Sequence, residues 1–115
     1  MNILVCDDDK EIVEAIEAYL RSEGYNILKS YTGKEAIEIV EKNDVHLIIM
    51  DIMMPEMDGI KATTKIREIK NIPVIMLSAK SEETDIILGL NMGADDYISK
   101  PFNPLELIAR VKSHL

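Results

Sequence analysis

Three consecutive carboxylates, Asp7, Asp8 and Asp9, follow directly on the apolar run Ile3–Cys6. A fourth acid, Asp51, closes the run "HLIIM", and Ser78 and Lys100 close "IPVIML" and "DDYIS". Two unit charges about 4 Å apart repel by about 4 kcal/mol near a protein surface, so acids brought together here call for a cation. Hard divalent cations prefer oxygen ligands, and Mg²⁺ keeps several waters while taking one or two carboxylates and phosphate oxygens. A zinc site would need thiols and imidazoles, but Cys6 stands alone and His46 and His114 are isolated. The residue types therefore point to a magnesium site on Asp7, Asp8 and Asp51 that neutralises an incoming phosphoryl group. Ser78 supplies a hydroxyl to it and Lys100 an amine.

For that chemistry to occur, the chain must carry all five residues to one place. The runs "NILVC", "HLIIM" and "IPVIML" are nearly continuous in apolar residues, as strands buried on both faces of a parallel sheet are. "YNILKSY" and "DDYIS" are polar at one end and read as edge strands. Between the strands lie helical patterns. Ile12, Val13, Ile16, Tyr19 and Leu20 recur at helical spacing. Thr32 with Glu35 forms a capping box, and Asn103, Pro104 and Glu106 form a second helix start. Gly24 and Gly93 stand where helices stop. Five βα units joined by right-handed crossovers give an α/β fold, a doubly wound parallel sheet in a three-layer sandwich. With the polar strands at the edges, the strand order is 2-1-3-4-5. Ligands in such sheets bind beyond the carboxyl ends of the strands, at the switch point between strands 1 and 3. Asp7, Asp8, Asp51, Ser78 and Lys100 all fall on that rim.

Composition narrows the partners. The 115 residues suit one domain, 47% are hydrophobic and 30% charged, and the net charge is −8. So acidic a segment is not expected to grip nucleic acid or an anionic membrane by itself. A single cysteine and the absence of a membrane-length apolar run or signal peptide predict a reducing, cytoplasmic location. The last ten residues, "ELIARVKSHL", are still helical in pattern, which predicts that the native protein continues past Leu115.

"DDD" after the first strand, "MDIMMPEMDG" after the third, "LSAK" after the fourth and "GADDYISKPF" through the fifth resemble the receiver domain of two-component response regulators. The resemblance covers the whole chain, residues 1–115, and implies the CheY-like version of the fold. The ending looks most like the OmpR class, in which a winged-helix DNA-binding domain follows. The resemblance implies that Asp51 accepts a phosphoryl group from a sensor histidine kinase, so that the domain is a phosphoacceptor rather than an enzyme in its own right. It further implies that Asp8, Asp51 and the main-chain carbonyl of Met53 ligate Mg²⁺, with Asp7 assisting. Lys100 then pairs with Asp51, Ser78 donates to the phosphorylated state, and Tyr97 is the switch aromatic. A cis bond at Lys100-Pro101 is common in the family.

The OmpR class forms a homodimer on phosphorylation through the fourth helix, fifth strand and last helix. Asp96 and Arg110 match one cross-subunit ion pair of that face, and Glu106 matches the acid of another. The usual basic partner of that acid falls at Ile86, which predicts an apolar contact there and leaves Glu106 without a cation. Asp9 reads as a helix cap, Cys6 as a small core residue, and Gly59 as permitting a tight helix start. Three rivals fit less well. A haloacid-dehalogenase-type phosphohydrolase wants a second acid at position 53, which is Met53. A flavodoxin-like cofactor binder wants a Ser/Thr/Gly-rich loop where this chain has aspartates. A pseudo-receiver usually lacks a site residue.

Overall fold

A computed structural model of the chain describes residues 1–79 and 93–115. Its strands are β1 (Asn2–Cys6), β2 (Asn26–Ser30), β3 (Leu47–Asp51), β4 (Val74–Ala79) and β5 (Asp96–Lys100). Among the described residues the helices are α1 (Lys10–Arg21), α2 (Gly33–Lys42), α3 (Gly59–Arg67) and α4 (Pro104–Ser113). The strands form one parallel sheet in the order β2-β1-β3-β4-β5, as the buried and polar runs predict. The helix expected between the fourth and fifth strands, with Ile86 on it, lies outside the described residues.

Alternation along each strand sends side chains to opposite faces, so each inner strand feeds two cores. Leu4, Cys6, Ile48, Met50, Val74 and Met76 face Ala36 and Val40 of α2 and Ala62 and Ile66 of α3. Ile3, Val5, Leu47, Ile49, Ile75 and Leu77 face Val13, Ile16 and Leu20 of α1 and Leu107 and Val111 of α4. Burying each large aliphatic side chain is worth about 1.5–3 kcal/mol, and this holds the strand register that sets the rim. The edge strands β2 and β5 are only partly buried, consistent with their polar ends.

The helix starts are built as the sequence indicates. Asp9 caps α1, its side chain accepting from the Glu11 N–H at 3.0 Å. Thr32 caps α2 through the Glu35 N–H at 3.1 Å, but the Glu35 carboxylate reaches the N–H of Tyr31, one residue beyond the expected box partner. Asn103 caps α4 with Pro104 at its first position. Gly24 takes a φ of 89° after α1 and Gly93 a φ of 110° ahead of β5, left-handed values that favour glycine. Arg67, at the end of α3, donates to the carbonyls of Ile72 and Gly93 and pairs with Asp95 at 2.7 Å. Asp95 also accepts from the Val74 N–H at 2.8 Å. One guanidinium therefore ties α3 to the starts of β4 and β5, the strands that deliver Ser78 and Lys100.

Candidate functional site

At the carboxyl ends of β1 and β3, Asp7, Asp8 and Asp51 each place one carboxylate oxygen within 4.8 Å of the others. Asp7 is fully buried, Asp51 is 3% exposed, and Asp8 is exposed. β5 brings Lys100 from the far end of the sequence. Its Nζ lies 2.8 Å from Asp7 Oδ2 and 3.1 Å from Asp51 Oδ1. The peptide bond that follows it, Lys100-Pro101, is cis. The ammonium therefore bridges two acids, where the family resemblance implied a pairing with Asp51. Asp7 Oδ1 also accepts from the Asp9 N–H at 2.9 Å, so the most buried acid is the best satisfied.

The electrostatics follow from burial and crowding. Desolvation, then the neighbouring Asp7 charge, push the Asp51 carboxyl up to about 6, against the pull of Lys100. Desolvation likewise raises Asp7, opposed by its hydrogen bonds from Lys100 and the Asp9 N–H. Burial disfavours the Lys100 ammonium, yet its bond to Asp7 and the charges of Asp51 and Asp7 outweigh that and raise its pKa. With three carboxylates against one ammonium, the rim carries an excess of negative charge. At 4.8 Å a pair of like charges repels by about 3–4 kcal/mol for an effective dielectric of about 20. An all-oxygen donor set with surplus negative charge fits a hard divalent cation.

Ser78, the fifth residue of the rim, sits on β4 one step beyond Leu77, which is paired in register with Asp51. Its Oγ is buried and has no hydrogen-bond partner among the described residues. A buried hydroxyl left this way costs about 1–3 kcal/mol, so the site holds an unused donor. Tyr97, the second residue of β5 and paired with Met76, is 38% exposed. Met53 lies in the loop after β3 and is also exposed. Beside the rim, a cleft of about 470 Å³ is walled by Ile12 and Tyr19 of α1 and by Lys100, Pro101 and Phe102.

The predicted dimer-face residues differ from expectation in two respects: the Asp96–Arg110 pair, matched to a cross-subunit one, closes within the chain, and Glu106 has a cation. Arg110 holds Asp96 at 2.6 Å within the chain and also lies 3.7 Å from Glu106, one helical turn away. Glu106 therefore does have a cation, contrary to the reading of the sequence, because α4 brings Arg110 to it at i+4 spacing. His114 adds a second contact to Asp96 at 3.0 Å. The hydrogen bonds from Arg110 and His114 hold the Asp96 carboxyl below its ordinary value even though burial acts to raise it.

Two features were not read from the sequence. Glu56 has a φ of 67°, and the Met57 N–H donates across it to the Pro55 carbonyl at 2.8 Å, a strained γ-turn between Asp51 and α3. The other is why Gly59, read only as permitting a tight helix start, is a glycine: a Cβ there would lie 2.0 Å from the Asp51 carbonyl oxygen. Pro55 was the available signal for the turn, while no sequence signal marks the close approach at Gly59.

Residues 3–112 match the response regulator receiver domain model. The chain is 51% identical over 113 residues to the regulatory protein VanR of Enterococcus faecium, covering 98% of this chain and 49% of that protein. It is 50% identical over 115 residues to the transcriptional regulatory protein YvrH of Bacillus subtilis (strain 168), covering 99% of this chain and 48% of that one. The chain spans about half the length of these curated relatives. The solved receiver domain of the Francisella response regulator 1452 superposes with a TM-score of 0.90 at 40% identity, covering 97% of this chain and 93% of that one. A two-component response regulator from Clostridium difficile gives a TM-score of 0.93 at 33% identity, covering 98% and 93%. Fold, rim and sequence agree: this chain belongs to the response regulator receiver domain family.

Proposed function

We propose that the domain is a phosphorylation-dependent switch in which Asp51 accepts a phosphoryl group from the phosphohistidine of a sensor histidine kinase. An Asp51 carboxylate oxygen forms the new O–P bond as the N–P bond breaks. The electron pair leaves with the imidazole, which takes up a proton. Asp8, Asp51 and the main-chain carbonyl of Met53 would hold Mg²⁺, with Asp7 assisting. Bound there, the metal supplies charge neutralisation for the phosphoryl oxygens. Lys100, already bridging Asp7 and Asp51, has an ammonium ready to follow the added negative charge. The observation that carries the reading is Ser78: a buried hydroxyl without a partner among the described residues, on the strand next to an acid braced by a lysine. A phosphoryl oxygen on Asp51 would give that hydroxyl its acceptor.

The output follows from the same residue. As Ser78 moves toward the phosphoryl group, the exposed Tyr97 turns inward behind it and changes the surface around β5. We assign that surface, with Asp96, Glu106, Arg110 and Ile86, to a C2 homodimer. The transcriptional output, and DNA contact with it, belongs to a winged-helix domain of the OmpR class outside this chain. This fits relatives of about twice its length. The domain acts in the cytoplasm, and none of its described helices is long and apolar enough to cross a membrane.

Incubation with acetyl phosphate and Mg²⁺ tests the reading. Wild type should gain one phosphoryl mass, labile to base as an acyl phosphate is, and Asp51→Asn should gain none. Full labelling of the variant would overturn the assignment.

A further inference from the structure

Gly59 opens α3 directly against the residue we read as the acceptor. Its N–H donates to the Ile52 carbonyl at 2.8 Å. A Cβ placed on it would lie 2.0 Å from the Asp51 carbonyl oxygen, 2.8 Å from the Asp51 carbonyl carbon and 3.0 Å from the Ile52 Cα. All three neighbours are backbone atoms, which cannot swing aside as the tip of a side chain can. The glycine is not needed for a left-handed turn, since among the described residues the positive-φ glycines are Gly24 and Gly93. What the position requires is the absence of volume. Gly24 is the converse case, with a φ of 89° and nothing within 4 Å of its Cβ position.

Neither side of this contact is free to yield. Asp51 ends a central strand paired in register with β4, and the Ile52 N–H goes on to bond the Leu77 carbonyl at 3.0 Å. On the other side, Asp58 caps α3 through the Lys61 N–H at 2.8 Å, and Ile60, Ala62, Thr63 and Ile66 bury its inner face. The first turn of the helix therefore acts as a stop for the backbone of Asp51. That backbone in turn fixes the reach of a carboxylate lying 3.1 Å from Lys100.

Building on the reading of Asp51 as phosphoacceptor, we propose that Gly59 is a positioning residue. By lacking a side chain it lets α3 seat on the Asp51 carbonyl, and so sets the carboxylate relative to Asp7, Asp8 and Lys100. A methyl group there displaces the acceptor from its partners without changing the identity of any site side chain.

The test compares Gly59→Ala with Ala62→Gly, which loosens the same helix at a buried position three residues further on. Rates of phosphorylation by acetyl phosphate at fixed Mg²⁺ should fall at least tenfold in Gly59→Ala and stay within twofold in Ala62→Gly. In metal-free samples, ¹⁵N–¹H spectra should show the Asp51 and Ile52 amides displaced in the first variant only. A wild-type rate, or unmoved Asp51 and Ile52 amides, in Gly59→Ala overturns the proposal, as does an equal loss in Ala62→Gly. If Gly59→Ala does not fold, Asp58→Ala decides, because it frays the stop without adding an atom. A threefold or greater loss supports the proposal and an unchanged rate refutes it. If wild type itself takes up no phosphoryl group, the acceptor reading fails, and the amide shifts still judge Gly59.

Discussion

Removing the charge of Asp51 should make the metal-free domain more stable, although Asp51 is the acceptor in the function proposed above. In the folded domain its carboxyl titrates at about 6, against an ordinary value of 3.8. Between those values the folded state keeps a proton that the unfolded state has released. Stability is therefore lost as pH rises through that window, and the deficit is fully present above about pH 6. Two pH units correspond to about 3 kcal/mol, and because Asp51 is buried, solvent screening takes little from that figure. Asp51→Asn removes the charge but keeps an amide oxygen for Lys100, so part of the ion pair is given up and a gain of about 1–3 kcal/mol remains. For a domain of this size that corresponds to about 4–12 °C in Tm. Urea unfolding in EDTA at pH 7.5 and pH 4 checks both magnitude and sign. The gain should appear at pH 7.5 and vanish at pH 4, where wild-type Asp51 is already largely protonated. Equal stability of the two proteins at pH 7.5, or the same gain at both pH values, would refute the argument from crowded, buried charge.

Three further outcomes are expected. Mg²⁺ should stabilise the native domain by about 2.7 kcal/mol at a hundred times its dissociation constant. Asp8→Ala should abolish that response while shifting metal-free stability by under about 1 kcal/mol, since Asp8 is exposed; titrated thermal melts read both. Glu56→Gly should raise stability by up to about 1 kcal/mol in urea unfolding, the relief of a left-handed residue exceeding the added flexibility of glycine. With beryllofluoride, the domain should form a dimer weakened more by Ile86→Ser than by Glu106→Ala. Apolar burial is worth about 1.5–3 kcal/mol and a screened ion pair under about 1; sedimentation measurements on the three proteins compare them.

Most of the site could be read from the sequence because strand burial and strand ends are one-dimensional signals. "HLIIM" followed by Asp51 states both that a strand is buried and that an acid stands at its mouth, and the polar character of β2 and β5 places them at the edges. Contacts that depend on how far a turn or helix is seated carry no such periodic mark. Nothing in the spacing distinguishes a lysine paired with Asp51 from one bridging Asp7 and Asp51. That was decided by the depth of Asp7, which is fully buried and needs the cation more. The Arg110–Glu106 contact follows from plain i,i+4 spacing within α4, a local geometry that the family's basic partner at position 86 does not reflect. Glu56 was invisible for a different reason: a left-handed conformation is announced by glycine or asparagine, and here the turn imposes it on a glutamate.

The most direct test of the account is to trap the acyl phosphate where it forms. After reaction with acetyl phosphate and Mg²⁺, borohydride reduces an aspartyl phosphate to homoserine, and peptide mass spectrometry reads its position. The account predicts homoserine at residue 51 alone, with Asp7 and Asp8 unmodified in the same sample. Homoserine at residue 7 or 8, or phosphorylated protein with Asp51 intact, would contradict it.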